Sequence, residues 1–137
     1  MTMLDPVLLD TDILSAIMRR HPLATAASRT YLNTHQRFTF SIITRYEITR
    51  GLLAKRATSQ LSAFDRLCAA SEILPLTEAA AMQAAMIYAD LYQRGQLIGD
   101  ADILIAATAI ENSLVMATNN LADFGRIAGL QIDNWLA

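Results

Sequence analysis

Asp10 closes the apolar run Val7-Leu8-Leu9 and is followed at once by Thr11-Asp12 and a helical pattern. A carboxylate at the exit of a first strand sits where open α/β sheets place their ligands. Two more acids interrupt apolar helical stretches: Glu47 within residues 42–53, and Asp102 at the head of residues 102–110. Burying an isolated carboxylate is costly, so three of them make sense if they point at one place and a divalent cation holds them there. Two unit charges roughly 4 Å apart repel by about 4 kcal/mol at an effective dielectric of about 20. A cluster of three therefore raises one pKa or recruits a counter-charge. Lys55 is the only lysine, and the arginines flank these segments. A hard cation with oxygen ligands, Mg²⁺ or Mn²⁺, is the simplest remedy. Such a centre polarises a phosphate and lowers the pKa of a bound water for in-line attack.

A fourth element follows in Thr118-Asn119-Asn120-Leu121-Ala122-Asp123. Thr118 and Asn120 can hydrogen-bond outer waters, and Asp123 can complete an acidic ring. Equally, Asn119-Asn120 can form a turn and helix cap, with Asp123 favouring the helix N-terminus. Similar alternatives stand beside the other acids. Ile43, Glu47, Arg50 and Gly51 share one helical face, so Glu47 can be a surface glutamate paired with Arg50. Asp102 shares its stripe with Ile105, Ala106 and Ala109, the stripe expected to face the sheet. Asp100 is the more natural cap for that helix, although Asp102 can itself be the N-cap.

These residues need elements to carry them. Val7–Leu9 reads as a short buried strand and Thr11–Met18 as a helix, broken at His21-Pro22 and resumed over 23–33. Residues 38–41 alternate as a second strand leading into a helix over 43–54. Thr58 can cap a helix running to about residue 70. Residues 72–76 form a third strand, and Thr77 starts a long alanine-rich helix ending near Gly95. The turn Leu97-Ile98-Gly99-Asp100 precedes a helix over 101–111. A fourth strand at 114–117, a short helix at 121–127 and a last strand at 131–133 complete the chain. Strands alternating with helices predict crossover units and a three-layer α/β/α sandwich around a parallel sheet of about four to five strands. Asp10 and the 118–120 segment both follow strands, so they share the carboxyl edge.

With 137 residues the chain reads as one domain, residues 1–137, and 53% hydrophobic against 18% charged residues argues against disorder. One cysteine, Cys68, rules out an internal disulfide and fits a reducing cytosol. No run approaches a membrane span and the N-terminus lacks a signal pattern, so the expectation is a soluble cytoplasmic protein with no membrane partner. Ten arginines and one lysine against 13 acids give a net charge of −2, unlike a general nucleic-acid binder. Arg19, Arg20, Arg45, Arg50, Lys55 and Arg56 nevertheless cluster in the first half, and Arg19, Arg20 and Arg50 are candidates for phosphate contacts. Solvated helix faces explain each of them as well. His21 and His35 read as surface or capping residues, and Cys68, Met82, Met86 and Met116 as packing. Tyr88 and Tyr92, one turn apart, read as core or dimer contacts.

The order Leu9-Asp10-Thr11-Asp12-Ile13-Leu14, then SIITRYEITRG over 41–51, IGDADILIAATA over 98–109, TNNLADF over 118–124 and the close Asp133-Asn134-Trp135 resembles the PIN-domain family. Within it, the closest likeness is to VapC-type toxins of toxin–antitoxin pairs. The resemblance implies a Mg²⁺- or Mn²⁺-dependent endoribonuclease directed at tRNA or ribosomal RNA. It also implies a homodimer inhibited by a cognate antitoxin whose tail occupies the active-site groove. Asp10, Glu47 and Asp102 match the first three family acids, which implies Asp10 and Asp102 as direct metal ligands. Glu47 is then a ligand through water or orients the nucleophile. The fourth family position, often aspartate, is Asn120 here, with another acid matched by Asp123. Asp12 stands where the family often has asparagine, and Thr11 matches a hydroxyl near the metal. Two rivals remain at this point. One is a haloacid dehalogenase-type phosphatase, from the Asp10-x-Asp12 pattern, which needs a lysine before a later acidic pair. The other is a non-catalytic module on the same fold, which has no use for mutually repelling carboxylates.

Overall fold

A computed structural model describes residues 5–137; Met1–Leu4, within the expected domain, lie outside the described residues. Five strands and seven helices alternate: β1 (Val7–Leu9), α1 (Thr11–Met18), α2 (Pro22–His35), β2 (Thr39–Ser41), α3 (Ile42–Ala54), α4 (Thr58–Ala69), β3 (Glu72–Leu74), α5 (Glu78–Gln93), α6 (Asp100–Glu111), β4 (Val115–Ala117), α7 (Leu121–Phe124) and β5 (Ile132–Asp133). All strand pairs are parallel. One ladder runs β1-β4-β5 and a second pairs β2 with β3, while β2 lies beside β1. The expected four-to-five-stranded sheet is thus five parallel strands divided between two ladders.

Alternation along the strands sorts the core into two layers. Val7, Leu9, Val115 and Ala117 pack with Ile13, Tyr31, Phe40 and Phe64 on one face. Leu8 and Met116 pack with Leu91, Ile105, Ala106 and Phe124 on the other. This is the three-layer sandwich. The chain leaves β1 for β2 and β3 on one side, then returns to β4 and β5 on the other. The direction reverses at β1, so the crevice of the sheet opens at the carboxyl end of that strand, where Asp10 stands.

Several local expectations are corrected. Ala57, not Thr58, occupies the N-cap of α4, and no side chain caps that end. Gly99 takes the N-cap of α6, leaving Asp100 and Asp102 inside its first turn. The third strand stops at Leu74 and α7 at Phe124. Met82 and Met86 are not packing residues, and Tyr88 and Tyr92 are not core: all four are exposed on α5, the tyrosine rings 6.1 Å apart. Ala80, Ala84, Ile87 and Leu91 form the buried stripe of α5 instead. Cys68 and Met116 are buried, and His21 caps α2 by accepting from the Leu23 amide. Among the described residues no helix is long and apolar enough to cross a membrane. Gly51 lies inside α3, where glycine costs about 0.5–1 kcal/mol relative to alanine.

Candidate active site

Asp10 ends β1 and caps α1 in one stroke. Its amide continues the ladder by donating to the Ala117 carbonyl at 2.9 Å, and its Oδ1 accepts from the Thr11 amide at 2.8 Å. Oδ2 accepts from Thr118 Oγ1 at 2.7 Å, and that hydroxyl accepts in turn from the Asn120 amide at 3.0 Å. Asp10 is only 4% exposed. Burial, with the Asp12 charge behind it, pushes its carboxyl up to about 8 despite the bonds from Thr118 and Thr11.

Around this anchor the other elements converge. Thr11 Oγ1 donates to Glu47 Oε1 at 2.7 Å and lies 3.1 Å from Thr44 Oγ1, tying α1 to α3. Asp12 Oδ2 accepts from the Asn119 amide at 3.0 Å, tying α1 to the loop after β4. Asn120 caps α7: its Oδ1 accepts from the Asp123 amide at 3.3 Å and its Nδ2 donates to Asp123 Oδ2 at 3.0 Å. Asp102, half-buried in the first turn of α6, has its carboxyl raised first by burial, then by the charges of Glu47, Asp123 and Asp12. Four carboxylates from α1, α3, α6 and α7 therefore share one electrostatic field beside Asp10.

The supporting residues divide. Arg19 lines the cleft of about 520 Å³ whose wall includes Thr11 and Glu47. Arg50 pairs with Glu47 at 3.8 Å and lies 5.0 Å above the Tyr46 ring, so it neutralises Glu47 from the solvent side. Arg20 is not brought to the acids: it turns through a left-handed backbone and lines a separate hollow with Pro22 and Arg29. Asp100 also stands apart, exposed beside Ala81 and Tyr88 of α5. Sequence reasoning missed Thr44, which is buried against Thr11; its one signal was a hydroxyl one turn before Glu47 on the same face.

Do these residues suit a divalent cation? Among the described residues, no three aspartate, glutamate, histidine or cysteine side chains form a ready-made metal cage. The donors are nevertheless all oxygens, the set a hard cation takes, and Mg²⁺ usually keeps several waters and uses only one or two carboxylates. Asp12 Oδ1 is buried and accepts no hydrogen bond, which leaves it needing a cation or a proton shared with Asp10. Asp10 itself is driven toward its neutral form by burial without a balancing positive charge. The residues present fit an open site.

A PIN-domain family model matches residues 7–130. This chain belongs to the PIN-domain family. Relatives include ribonuclease VapC2 of Haemophilus influenzae, 31% identical over 94% of this chain and 97% of the relative. The tRNA(fMet)-specific endonuclease VapC of Salmonella typhimurium is 34% identical over 76% of this chain and 79% of its own. Among solved structures, the VapBC2 complex of Rickettsia felis on a promoter DNA fragment superposes with a TM-score of 0.84. It is 27% identical and covers 94% of this chain and 98% of that one. DNA-bound VapBC from Salmonella typhimurium also gives 0.84, at 30% identity, over 95% of this chain and 98% of that one. Membership in the PIN-domain family sets aside the haloacid dehalogenase reading.

Proposed function

We propose that this PIN domain is an endoribonuclease that hydrolyses RNA phosphodiester bonds with the help of Mg²⁺ or Mn²⁺, acting as the toxin of a toxin–antitoxin pair. The observation that carries the reading is the shared field at the switch point of the sheet: Asp102 faces Glu47, Asp123 and Asp12 beside the buried Asp10. Relatives named as VapC ribonucleases and as a tRNA endonuclease support RNA, with tRNA or rRNA as the target class. The neighbouring VapBC complexes support a cognate antitoxin as partner.

In this reading Asp10, Asp102 and Glu47 hold the cation, and Asp123 extends the acidic ring. A cation so held supplies polarisation of the scissile phosphate and a lowered pKa for a bound water. The protein's own groups do the rest. Thr118 fixes Asp10 Oδ2, so that carboxylate cannot swing away when charged. Thr11 orients Glu47 through its 2.7 Å bond to Oε1, with Arg50 3.8 Å from Oε2. Asn120 orients Asp123, and the Asn119 amide holds Asp12. Arg19 sits where it can meet a neighbouring phosphate. The exposed Met82, Met86, Tyr88 and Tyr92 on α5 support a second copy of the chain covering that face.

Purified protein incubated with labelled tRNA and rRNA in Mn²⁺, with and without EDTA, tests the function. Cleavage that EDTA abolishes and that Asp102→Asn lacks is the expected result. RNA left intact by the wild-type protein under all divalent conditions would refute it.

A further inference from the structure

Residues 118–120 leave the carboxyl end of β4 and touch three acids. Thr118 Oγ1 donates to Asp10 Oδ2 at 2.7 Å, the Asn119 amide to Asp12 Oδ2 at 3.0 Å, and Asn120 Nδ2 to Asp123 Oδ2 at 3.0 Å. The last rung of this stretch in the sheet is the Thr118 amide, which donates to the Asp133 carbonyl of β5 at 2.9 Å. Past that rung Asn119 is exposed. Among the described residues, two hydrogen bonds tie Asn119 to distant parts of the chain: its amide to Asp12, and its Oδ1, which accepts from Asn134 Nδ2 at 3.1 Å. The first depends on a carboxylate of the site itself. The second runs to a neutral carboxamide outside it.

Asn134 is itself fixed from both sides. It follows β5, and the next residue, Trp135, is buried with its ring 5.4 Å from that of Tyr31. The Tyr31 hydroxyl accepts from the Val7 amide at the start of β1, so this end of the chain is joined to the strand that presents Asp10. Asn134 Oδ1 accepts from the Leu136 amide at 2.9 Å, closing a turn of the kind that asparagine, aspartate and serine all make. With its oxygen so engaged, the carboxamide turns Nδ2 toward Asn119. The turn accounts for Oδ1 alone and is served as well by aspartate or serine. The donor toward Asn119 is what asparagine adds. We propose that Asn134 is a positioning residue of the acidic site: its side chain braces the 118–120 loop, so that Asp10 and Asp12 keep their arrangement when a cation and substrate arrive. This inference rests on the metal-dependent reading of the site and adds a residue to it from the far end of the chain.

Two substitutions separate the brace from the turn. Asn134→Ser keeps a hydroxyl that can accept from the Leu136 amide but is too short to reach Asn119, whereas Asn134→Ala loses both contacts. Calorimetric titration of the protein with Mn²⁺, with no RNA present, reads the site directly. Both variants and Asn119→Ala are expected to weaken Mn²⁺ binding about two- to tenfold, the worth of one neutral hydrogen bond. The double variant Asn119→Ala/Asn134→Ser loses no more than either single one, because both remove the same contact. Metal-free Tm falls in Asn134→Ala and stays near wild type in Asn134→Ser. In RNA cleavage, Asn134→Ser is slowed at limiting Mn²⁺ and recovers at saturating Mn²⁺. Full Mn²⁺ affinity in Asn134→Ser with loss in Asn134→Ala would overturn the proposal, since the turn alone would then suffice. Additive losses in the double variant would overturn it too. Normal Mn²⁺ affinity and cleavage in all three single variants removes the brace and leaves the nuclease reading. A wild-type protein that cuts no RNA but binds Mn²⁺ through Asn134 removes the nuclease reading and leaves the brace.

Discussion

At the β1–α1 junction Asp10 is 4% exposed, and both its oxygens accept hydrogen bonds, from Thr11 and Thr118. At the start of α6 Asp102 is half-buried and accepts no hydrogen bond among the described residues; its environment consists of burial and three carboxylates. Both carboxyls are pushed toward neutrality, yet by different means. Asp10 is part of the architecture, joining a strand, a helix cap and the loop after β4. Asp102 is held by burial and charge with no hydrogen bond to fix it, so it is free to respond to whatever enters the site. A site of this kind combines one rigid point with one adjustable point, and that difference can be tested by substitution.

The largest effect is on turnover. Asp10→Asn and Asp102→Asn should each lower RNA cleavage by well over a hundredfold, because removing outer-shell partners of a metal site already costs about 10–100-fold. Gel assays of labelled RNA in Mn²⁺ measure it, and substantial activity in either variant would break the symmetry assumed for the two acids. Stability then separates them. Between the ordinary carboxyl value of 3.8 and the folded value of about 8, native Asp10 holds a proton that the unfolded chain has released. Metal-free stability therefore falls as pH rises through that window, by about 1.4 kcal/mol for each pH unit crossed and several kcal/mol at most. The Tm advantage of Asp10→Asn should be near zero at pH 4 and grow toward pH 8. Asp102→Asn gains in the same direction and by less. A Tm advantage that does not change with pH would show that Asp10 is charged in the folded chain.

Thr118→Val sharpens the contrast from the other side. Thr118 is fully buried, donates to Asp10 and accepts from the Asn120 amide, so its loss strands two groups. The expected cost is about 1–3 kcal/mol in denaturant unfolding, with cleavage lowered about 10–100-fold. No equivalent substitution exists for Asp102, which has no such partner to remove.

Asp10 was legible because a strand end, a helix start and a carboxylate coincide there, and the alternation of elements fixed which edge it occupies. Asp100 misled because aspartate is a good cap. The chain reaches its turn at Gly99 in extended conformation, however, and the helix begins one residue later with no side chain capping it. On α5 the stripe Ala80, Ala84, Ile87 and Leu91 competed with an equally periodic one through Met82 and Met86. The small residues won because they let α5 pack closely on α6, which itself presents Ala106 and Ala109. Periodicity alone cannot rank two apolar stripes. Arg20 depends on a left-handed turn that leaves no mark on spacing, and Thr44 on a contact between α1 and α3 that its position one turn before Glu47 does not fix alone.

The smallest effect concerns Glu47, which is held from two sides. Thr11 binds Oε1 at 2.7 Å from within, while Arg50 reaches Oε2 only at 3.8 Å from an exposed position. Exposed ion pairs contribute little because water screens them and long side chains lose entropy to form them. Arg50→Ala should therefore leave Tm unchanged and reduce cleavage slightly, whereas Thr11→Val, which removes the inner bond, should reduce it about 10–100-fold. Measuring kcat and KM for the two variants side by side decides which contact orients the carboxylate. A larger loss in Arg50→Ala than in Thr11→Val would mean that Glu47 is held from the solvent side, and α1 would then position only Asp10 rather than both acids.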